Sequence, residues 1–144
     1  MSVVKQINPI EAFELLKKDP DSVLVDVRTF EEFNFVGVAD ASEFNNRMIL
    51  LPWQLMPSME VNHNFNISLK KELEKLFKEK ATKAKVVFLC RTGGRSNQAA
   101  NQALTLGYEN SYNLVNGFEG DLDEFSQRGK INGWKAKLLP WRQK

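Results

Sequence analysis

The apolar residues of this chain recur in two rhythms, at every third or fourth position in some stretches and in short unbroken runs in others, with polar punctuation between them. Asn8-Pro9-Ile10-Glu11 supplies a cap, a proline at the first helical position and a glutamate three residues after the cap, which together open a helix. Ile10, Phe13 and Leu16 then fall on one face until Asp19-Pro20 stops it. Ser22 to Arg28, SVLVDVR, is short, β-branched and lacks strict alternation, as suits a strand buried on both faces. Thr29-Phe30-Glu31-Glu32 repeats the capping-box pattern and opens a short helix that Gly37 can end. Met48 to Trp53 is a further apolar run, and Pro52 places its end. Between Ile67 and Ala81, Leu69, Leu73, Leu76 and Phe77 sit at helical spacing among lysines and glutamates, which predicts an amphipathic surface helix. Val86 to Leu89 predicts a strand, Ala99 to Leu106 a helix closed by Gly107, Ser111 to Val115 another strand, and the short segment near Val3 to Ile7 a fifth.

Strands separated by helices of this length cannot pair as hairpins. They imply right-handed crossovers and a parallel sheet covered on both sides. The expected fold class is therefore α/β, a central, mostly parallel five-stranded sheet with helices on both faces. A chain of 144 residues suits one domain spanning 1–144, able to bury about two-thirds of its unfolded surface. In such sheets ligands bind beyond the carboxyl ends of the strands, where loops lead into helix N-termini. Cys90 lies at that kind of end.

Composition narrows the class further. Hydrophobic and charged fractions of 42% and 26% are those of an ordinary soluble protein. The N-terminus turns polar at Lys5, Gln6 and Asn8, unlike a signal peptide, and no apolar run approaches the ~20 residues of a membrane span, so a cytoplasmic location with no membrane partner is expected. With a single cysteine and a single histidine, neither an internal disulfide nor a zinc site is expected, nor any metal or cofactor. His63 lies in the polar stretch Glu60-Val61-Asn62-His63-Asn64 and reads as a surface loop residue. All 18 carboxylates precede Phe125, whereas Arg128, Lys130, Lys135, Lys137, Arg142 and Lys144 follow it, so a basic, tryptophan-containing tail begins at about residue 126. Such a tail could bind an acidic partner or nucleic acid. Base rates favour a solvated tail whose Trp134, Leu138, Leu139 and Trp141 pack on the domain, and no nucleic-acid partner is expected.

The chemistry concentrates in Val86 to Ser96, VVFLCRTGGRS. If Leu89 ends a strand and a helix begins near Ser96, Arg91 to Arg95 form a tight loop around the Cys90 sulfur. Glycines at 93 and 94 let backbone amides turn inward, and those amides, the positive end of the following helix and the guanidinium groups of Arg91 and Arg95 all favour a thiolate. A buried cysteine followed by an ordinary Gly-Gly turn is the plainer reading, but it leaves two arginines beside a core cysteine unexplained. A tyrosine-phosphatase loop needs five residues between cysteine and arginine, and position 96 is serine. A Walker loop lacks its first glycine and its lysine, and a thioredoxin-like site lacks the second cysteine at Gly93.

Cys90-Arg91-Thr92-Gly93-Gly94-Arg95-Ser96 resembles the active-site loop of rhodanese-type sulfurtransferases, Cys-x-x-Gly-x-Arg-Ser. Val25-Asp26-Val27-Arg28 with Glu31-Glu32-Phe33 is similar to that family's upstream Asp-Val-Arg strand and acidic-aromatic helix. Leu106-Gly107-Tyr108, Asn113-Leu114 and Asn116-Gly117-Phe118 resemble the stretch that closes its domain. Two departures stand out. Gly37-Val38-Ala39-Asp40-Ala41 replaces the family's Gly-His-Ile-Pro-Gly-Ala, whose histidine is not catalytic, and Thr92 stands where thiosulfate-preferring members often carry a basic residue.

The resemblance implies double displacement through a Cys90 persulfide. The Arg91 to Ser96 amides would hold the persulfide, Arg91 would attract the donor, Arg95 would keep the loop's shape, and Asp26 and Arg28 would support it. It further implies a small anionic sulfur donor, thiosulfate-like or a persulfide, a thiol or cyanide-like acceptor, and room for a protein donor or acceptor. The alternative is a non-enzymatic protein-binding or sulfur-carrier module of the same fold. Exposed Trp134 and Trp141 would favour that docking role, whereas buried ones would belong to the core.

Overall fold

The computed structural model describes residues 2–144. Strand β1 (Lys5–Ile7) leads into α1 (Pro9–Lys18), whose capping box forms as the sequence predicts: Glu11 N donates to Asn8 Oδ1 at 2.8 Å and Asn8 N donates to Glu11 Oε1 at 3.3 Å. After β2 (Ser22–Asp26), α2 (Phe30–Val36) opens on the Thr29–Glu32 box and ends at Gly37, whose φ of +96° a β-carbon would strain. Next come β3 (Val38–Ala39), a 3-10 turn at Ser42–Phe44, β4 (Met48–Leu50), and the antiparallel pair β5 (Gln54–Leu55) and β6 (Glu60–Val61). The remainder holds α3 (Phe65–Phe77), a 3-10 stretch at Lys78–Lys83, β7 (Lys85–Leu89), α4 (Gly94–Thr105), β8 (Ser111–Leu114), the short α5 (Gly133–Ala136) and β9 (Trp141–Arg142).

Five strands form one parallel sheet in the order β1-β8-β7-β2-β4, which is the expected α/β class. Asp26 pairs with Leu89, so β2 and β7 end side by side at the sheet's centre, and the bond from Val27 N to Leu89 O at 2.8 Å carries the pairing one step further. The β-branched runs are continuous because both faces are covered. Val23, Val25, Val86 and Phe88 pack with Leu69 and Leu73 of α3 and with Ala99, Ala100 and Ala103 of α4, while Leu24, Val87 and Leu89 pack with α1 and Trp134. Each fully buried leucine or phenylalanine here contributes about 1.5–3 kcal/mol. The alanines of α4 bring its backbone close to β7 and β8, which fixes the first turn of α4 over the end of β7. No helix among the described residues is long and apolar enough to cross a membrane.

The structure corrects several expected positions. The buried stripe of α3 is Phe65, Leu69, Leu73 and Phe77, with Ile67 and Leu76 exposed. The helix starts earlier than its leucines indicate because Phe65 anchors it, edge-on to Trp53 with ring centroids 4.9 Å apart. Ile10 is exposed too; Pro9, Ala12, Phe13 and Leu16 form the buried face of α1. The α4 helix starts at Gly94 rather than near Ser96. Of the tail's apolar residues, Trp134 and Leu139 are buried, Trp141 is 41% exposed and Leu138 is 90% exposed. The α5 turn seats the Trp134 indole in the core with Nε1 donating to Pro140 O at 2.8 Å, which leaves Leu138 on the outside. Antiparallel pairing of β9 with β3 and a Lys135 ammonium 3.9 Å from the Trp141 ring centroid pin the end of the tail. His63 is exposed, as expected.

Candidate active site

Cys90 follows the last residue of β7 directly and is 1% exposed. Its sulfur accepts the Gly93 N–H at 3.1 Å, and Ser96 Oγ lies 3.2 Å away. Gly93 reaches the sulfur because its φ of +114° lies in the left-handed region, where the chain reverses within three residues and points the amide back at Cys90. The reversal also serves as the N-cap of α4, so the sulfur sits at the positive end of a 12-residue helix. The two glycines are not equivalent. A β-carbon at Gly94 would meet nothing within 4 Å and its φ is not positive, so of the two Gly93 alone carries a conformational requirement. Among the described residues, neither Thr92 nor Gly94 donates to the sulfur.

The loop is held from behind by a segment the sequence reading did not connect to it. Phe118 N donates to Cys90 O at 2.8 Å, and Glu119 N and Gly120 N donate to Arg91 O at 3.0 and 3.2 Å. These bonds require close approach at Gly117, where an added β-carbon would collide with Cys90 O and lie 2.5 Å from Arg91 C and O. Beneath this segment lie Asp26 and Arg28, both fully buried and joined by a pair of 2.7 Å. Arg28 also donates to Gly37 O at 2.8 Å and stacks its guanidinium 4.3 Å from the Phe118 ring centroid. Phe118 thus lies between this pair and the Cys90 carbonyl to which it donates. Burial pushes the Asp26 carboxyl above its ordinary range, with Arg28 opposing that rise.

Arg95 and Arg91 have different surroundings. Arg95 forks onto Glu32, with Nη1 to Oε1 at 2.6 Å and Nη2 to Oε2 at 3.0 Å, tying the start of α4 to the first turn of α2. Burial pushes the Glu32 carboxyl up, but the Arg95 guanidinium and the Thr29 N–H outweigh it and hold the carboxyl below its ordinary range. Arg91 is exposed and lines a cleft of about 680 Å³. Phe35, Val36, Met56 and Met59 form the cleft's apolar wall. Glu31 and Glu119 also line it, and among the described residues neither they nor Arg91 make an ion pair, whereas Glu32 and Arg95 neutralise each other. A separate cleft of about 550 Å³ beside Ile67 and Tyr108 contains no part of the Cys90 loop.

On its other side the sulfur joins a polar chain. Ser96 Oγ lies 2.5 Å from Asn113 Oδ1 on β8, Asn113 Nδ2 donates to Gln6 Oε1 at 2.9 Å, and Gln6 Nε2 donates to Asn97 Oδ1 at 3.0 Å. Sequence reading missed the places of Asn113 and Gln6 in this chain. Only the sheet order, which sets β1 and β8 beside β7, brings them to the site.

A rhodanese-like domain model matches residues 10–124. Uncharacterized proteins of Rickettsia rickettsii and Rickettsia conorii are 36% and 35% identical over 139 residues, covering 96% of this chain and 98% of theirs. The crystal structure of Rv0390 from M. tuberculosis superposes with a TM-score of 0.83 at 39% identity, over 99% of this chain and 100% of that one. The solution structure of a polysulfide-sulfur transferase homodimer from Wolinella succinogenes shares the fold at 21% identity and a TM-score of 0.58, over 98% of this chain and 80% of that one.

Proposed function

The chain belongs to the rhodanese-like domain family, and from that premise we propose that it is a sulfurtransferase with Cys90 as its nucleophile. The observation that carries this reading is the sulfur's setting, at the C-terminal end of a central strand, under the Gly93 amide and at the N-terminus of α4. A packing cysteine needs no such setting, whereas an anionic sulfur does. The Cys90 thiolate attacks the outer sulfur of a donor. A bond forms between the two sulfurs, the donor's bond to that sulfur breaks, and its electron pair leaves with the leaving group. An acceptor nucleophile then attacks the outer sulfur of the persulfide, and the electron pair of the broken S–S bond returns to Cys90 as thiolate. Neither half requires an oxidant or a reductant. Arg95 and Glu32 keep the loop closed, Asp26 and Arg28 support it through Phe118, and Arg91 meets the incoming donor.

The cleft supports a refinement of the donor. Its volume lies within the range of sites for drug-sized ligands, and an inorganic anion would fill little of it. A dianion such as thiosulfate would also meet two unpaired carboxylates against one unpaired guanidinium. A sulfane sulfur carried on an organic body with apolar surface suits Phe35, Val36, Met56 and Met59 better. The tail's tryptophans divide between the two readings, with Trp134 in the core and Trp141 41% exposed, so they do not separate the enzyme from the carrier module. Turnover separates the two readings. Wild type is expected to pass sulfur from an organic persulfide to a thiol over many cycles, and Cys90→Ser to pass none while folding normally. A single stoichiometric loading without turnover would favour the carrier.

A further inference from the structure

Ser96 has one hydroxyl proton and two acceptors within reach, Cys90 Sγ at 3.2 Å and Asn113 Oδ1 at 2.5 Å. We infer that Asn113, held in orientation by Gln6, is a positioning residue that decides which of the two receives that proton. With the sulfur as a thiol, every partner is satisfied in one direction. The S–H donates to Ser96 Oγ, Ser96 donates to Asn113 Oδ1, Asn113 Nδ2 to Gln6 Oε1, and Gln6 Nε2 to Asn97 Oδ1 on the first turn of α4. Every side-chain donor of this chain then points away from the sulfur, toward its exposed end at Gln6 and Asn97.

When the thiol proton leaves to water, the anion gains most from a second donor, and the Ser96 hydroxyl is placed to be it. Turning that hydroxyl to sulfur leaves Ser96 Oγ and Asn113 Oδ1 facing each other at 2.5 Å with no proton between them. The conflict disappears if the Asn113 amide reverses and presents Nδ2 to Ser96. Gln6 opposes the reversal, because Asn113 Oδ1 would then face Gln6 Oε1. Asn113 and Gln6 together therefore withhold the serine proton from the sulfur, and reversal of the whole chain releases it. The charged groups around the sulfur are Arg91 and Arg95 of the loop and α4, Glu32 of α2 on Arg95, the Asp26–Arg28 pair at the end of β2, and Glu31 and Glu119 at the cleft. No charge changes in Ser96→Ala, Asn113→Leu or Gln6→Leu, so a shift in reactivity in these three isolates the hydroxyl.

The test is the rate of Cys90 alkylation by iodoacetamide across pH, read by intact mass on the full chain, which requires no sulfur transfer. Ser96→Ala is expected to slow the reaction at neutral pH, roughly tenfold for one hydrogen bond to a charged group. Asn113→Leu and Gln6→Leu are expected to quicken it, roughly threefold to tenfold, and to move the profile to lower pH. Gln6→Glu keeps the oxygen that accepts from Asn113 Nδ2, and its added negative charge cannot favour the thiolate, so it should not quicken the reaction. In a Ser96→Ala background, Asn113→Leu should change nothing further. Gln6 is exposed on an edge strand, so its pair of variants decides the matter even if Asn113→Leu fails to fold. Slower or unchanged alkylation in Gln6→Leu, or an effect of Asn113→Leu that survives without the serine hydroxyl, would overturn the inference.

Discussion

Replacing Gly117 by alanine adds one methyl group at the point where the site's support is tightest. Its φ of +63° costs an L-residue about 1–2 kcal/mol. The new β-carbon would also press on Cys90 O and sit 2.5 Å from Arg91 C and O, which are backbone atoms that no rotamer can move aside, and overpacking of this kind costs roughly 1–3 kcal/mol. The sum is about 2–5 kcal/mol, or a drop in Tm of roughly 5–15 °C for a chain of this size. Relief requires the loop to move away from 117–120, which lengthens the bonds to Cys90 O and Arg91 O and withdraws the Gly93 amide from the sulfur. Denaturant unfolding with alkylation kinetics in the folded baseline measures both effects. A Gly117→Ala protein within about 0.5 kcal/mol of wild type, with unchanged Cys90 reactivity, would refute the claim that this segment sets the loop.

The paired glycines give an internal control: Gly93→Ala should be destabilised by about 1–2 kcal/mol and lose Cys90 reactivity in a rate assay, whereas Gly94→Ala, with open space around it, should stay close to wild type. Glu32→Gln should lower stability at neutral pH by about 1–3 kcal/mol, measured by urea unfolding. Because the folded carboxyl is held below its ordinary range, the wild-type advantage is full above about pH 4.3 and should vanish as the pH falls through the folded-state value. An advantage that persisted at lower pH would contradict the ion-pair account. Glu119→Gln should raise kcat/KM for thiosulfate severalfold, more at low salt, while scarcely affecting an uncharged organic donor, and Arg91→Ala should do the reverse for anionic donors.

Local chemistry was legible in the sequence and long-range chemistry was not. Both capping boxes form as expected because cap and glutamate lie within one turn and need nothing else. The Cys90 loop was readable for the same reason, since its strand, glycines and helix are contiguous. Two adjacent glycines look alike in a sequence, however, and only the backbone path shows that Gly93 takes the positive φ and Gly94 does not. Gly117 and Asn113 reach the site across a parallel crossover, where no periodicity links them to Cys90. Arg47 is a similar case. It is nearly buried and donates to Leu16 O at 2.7 Å and Asp19 O at 2.8 Å, satisfying the end of α1 from 31 and 28 residues away. The tail shows the limit of hydrophobicity as a guide, because Leu138 and Leu139 are neighbours of the same type and the turn at α5 buries only the second.

The central claim is that Cys90 carries the transferred sulfur, and intact mass after exposure to sulfane-sulfur donors tests it most directly. The account predicts a gain of one sulfur atom on the reduced, folded chain, located on Cys90, absent in Cys90→Ser, and removed by a thiol with return to the starting mass. Organic persulfides should load it at lower concentrations than thiosulfate. No added sulfur from any donor, or the same addition in Cys90→Ser, would contradict it.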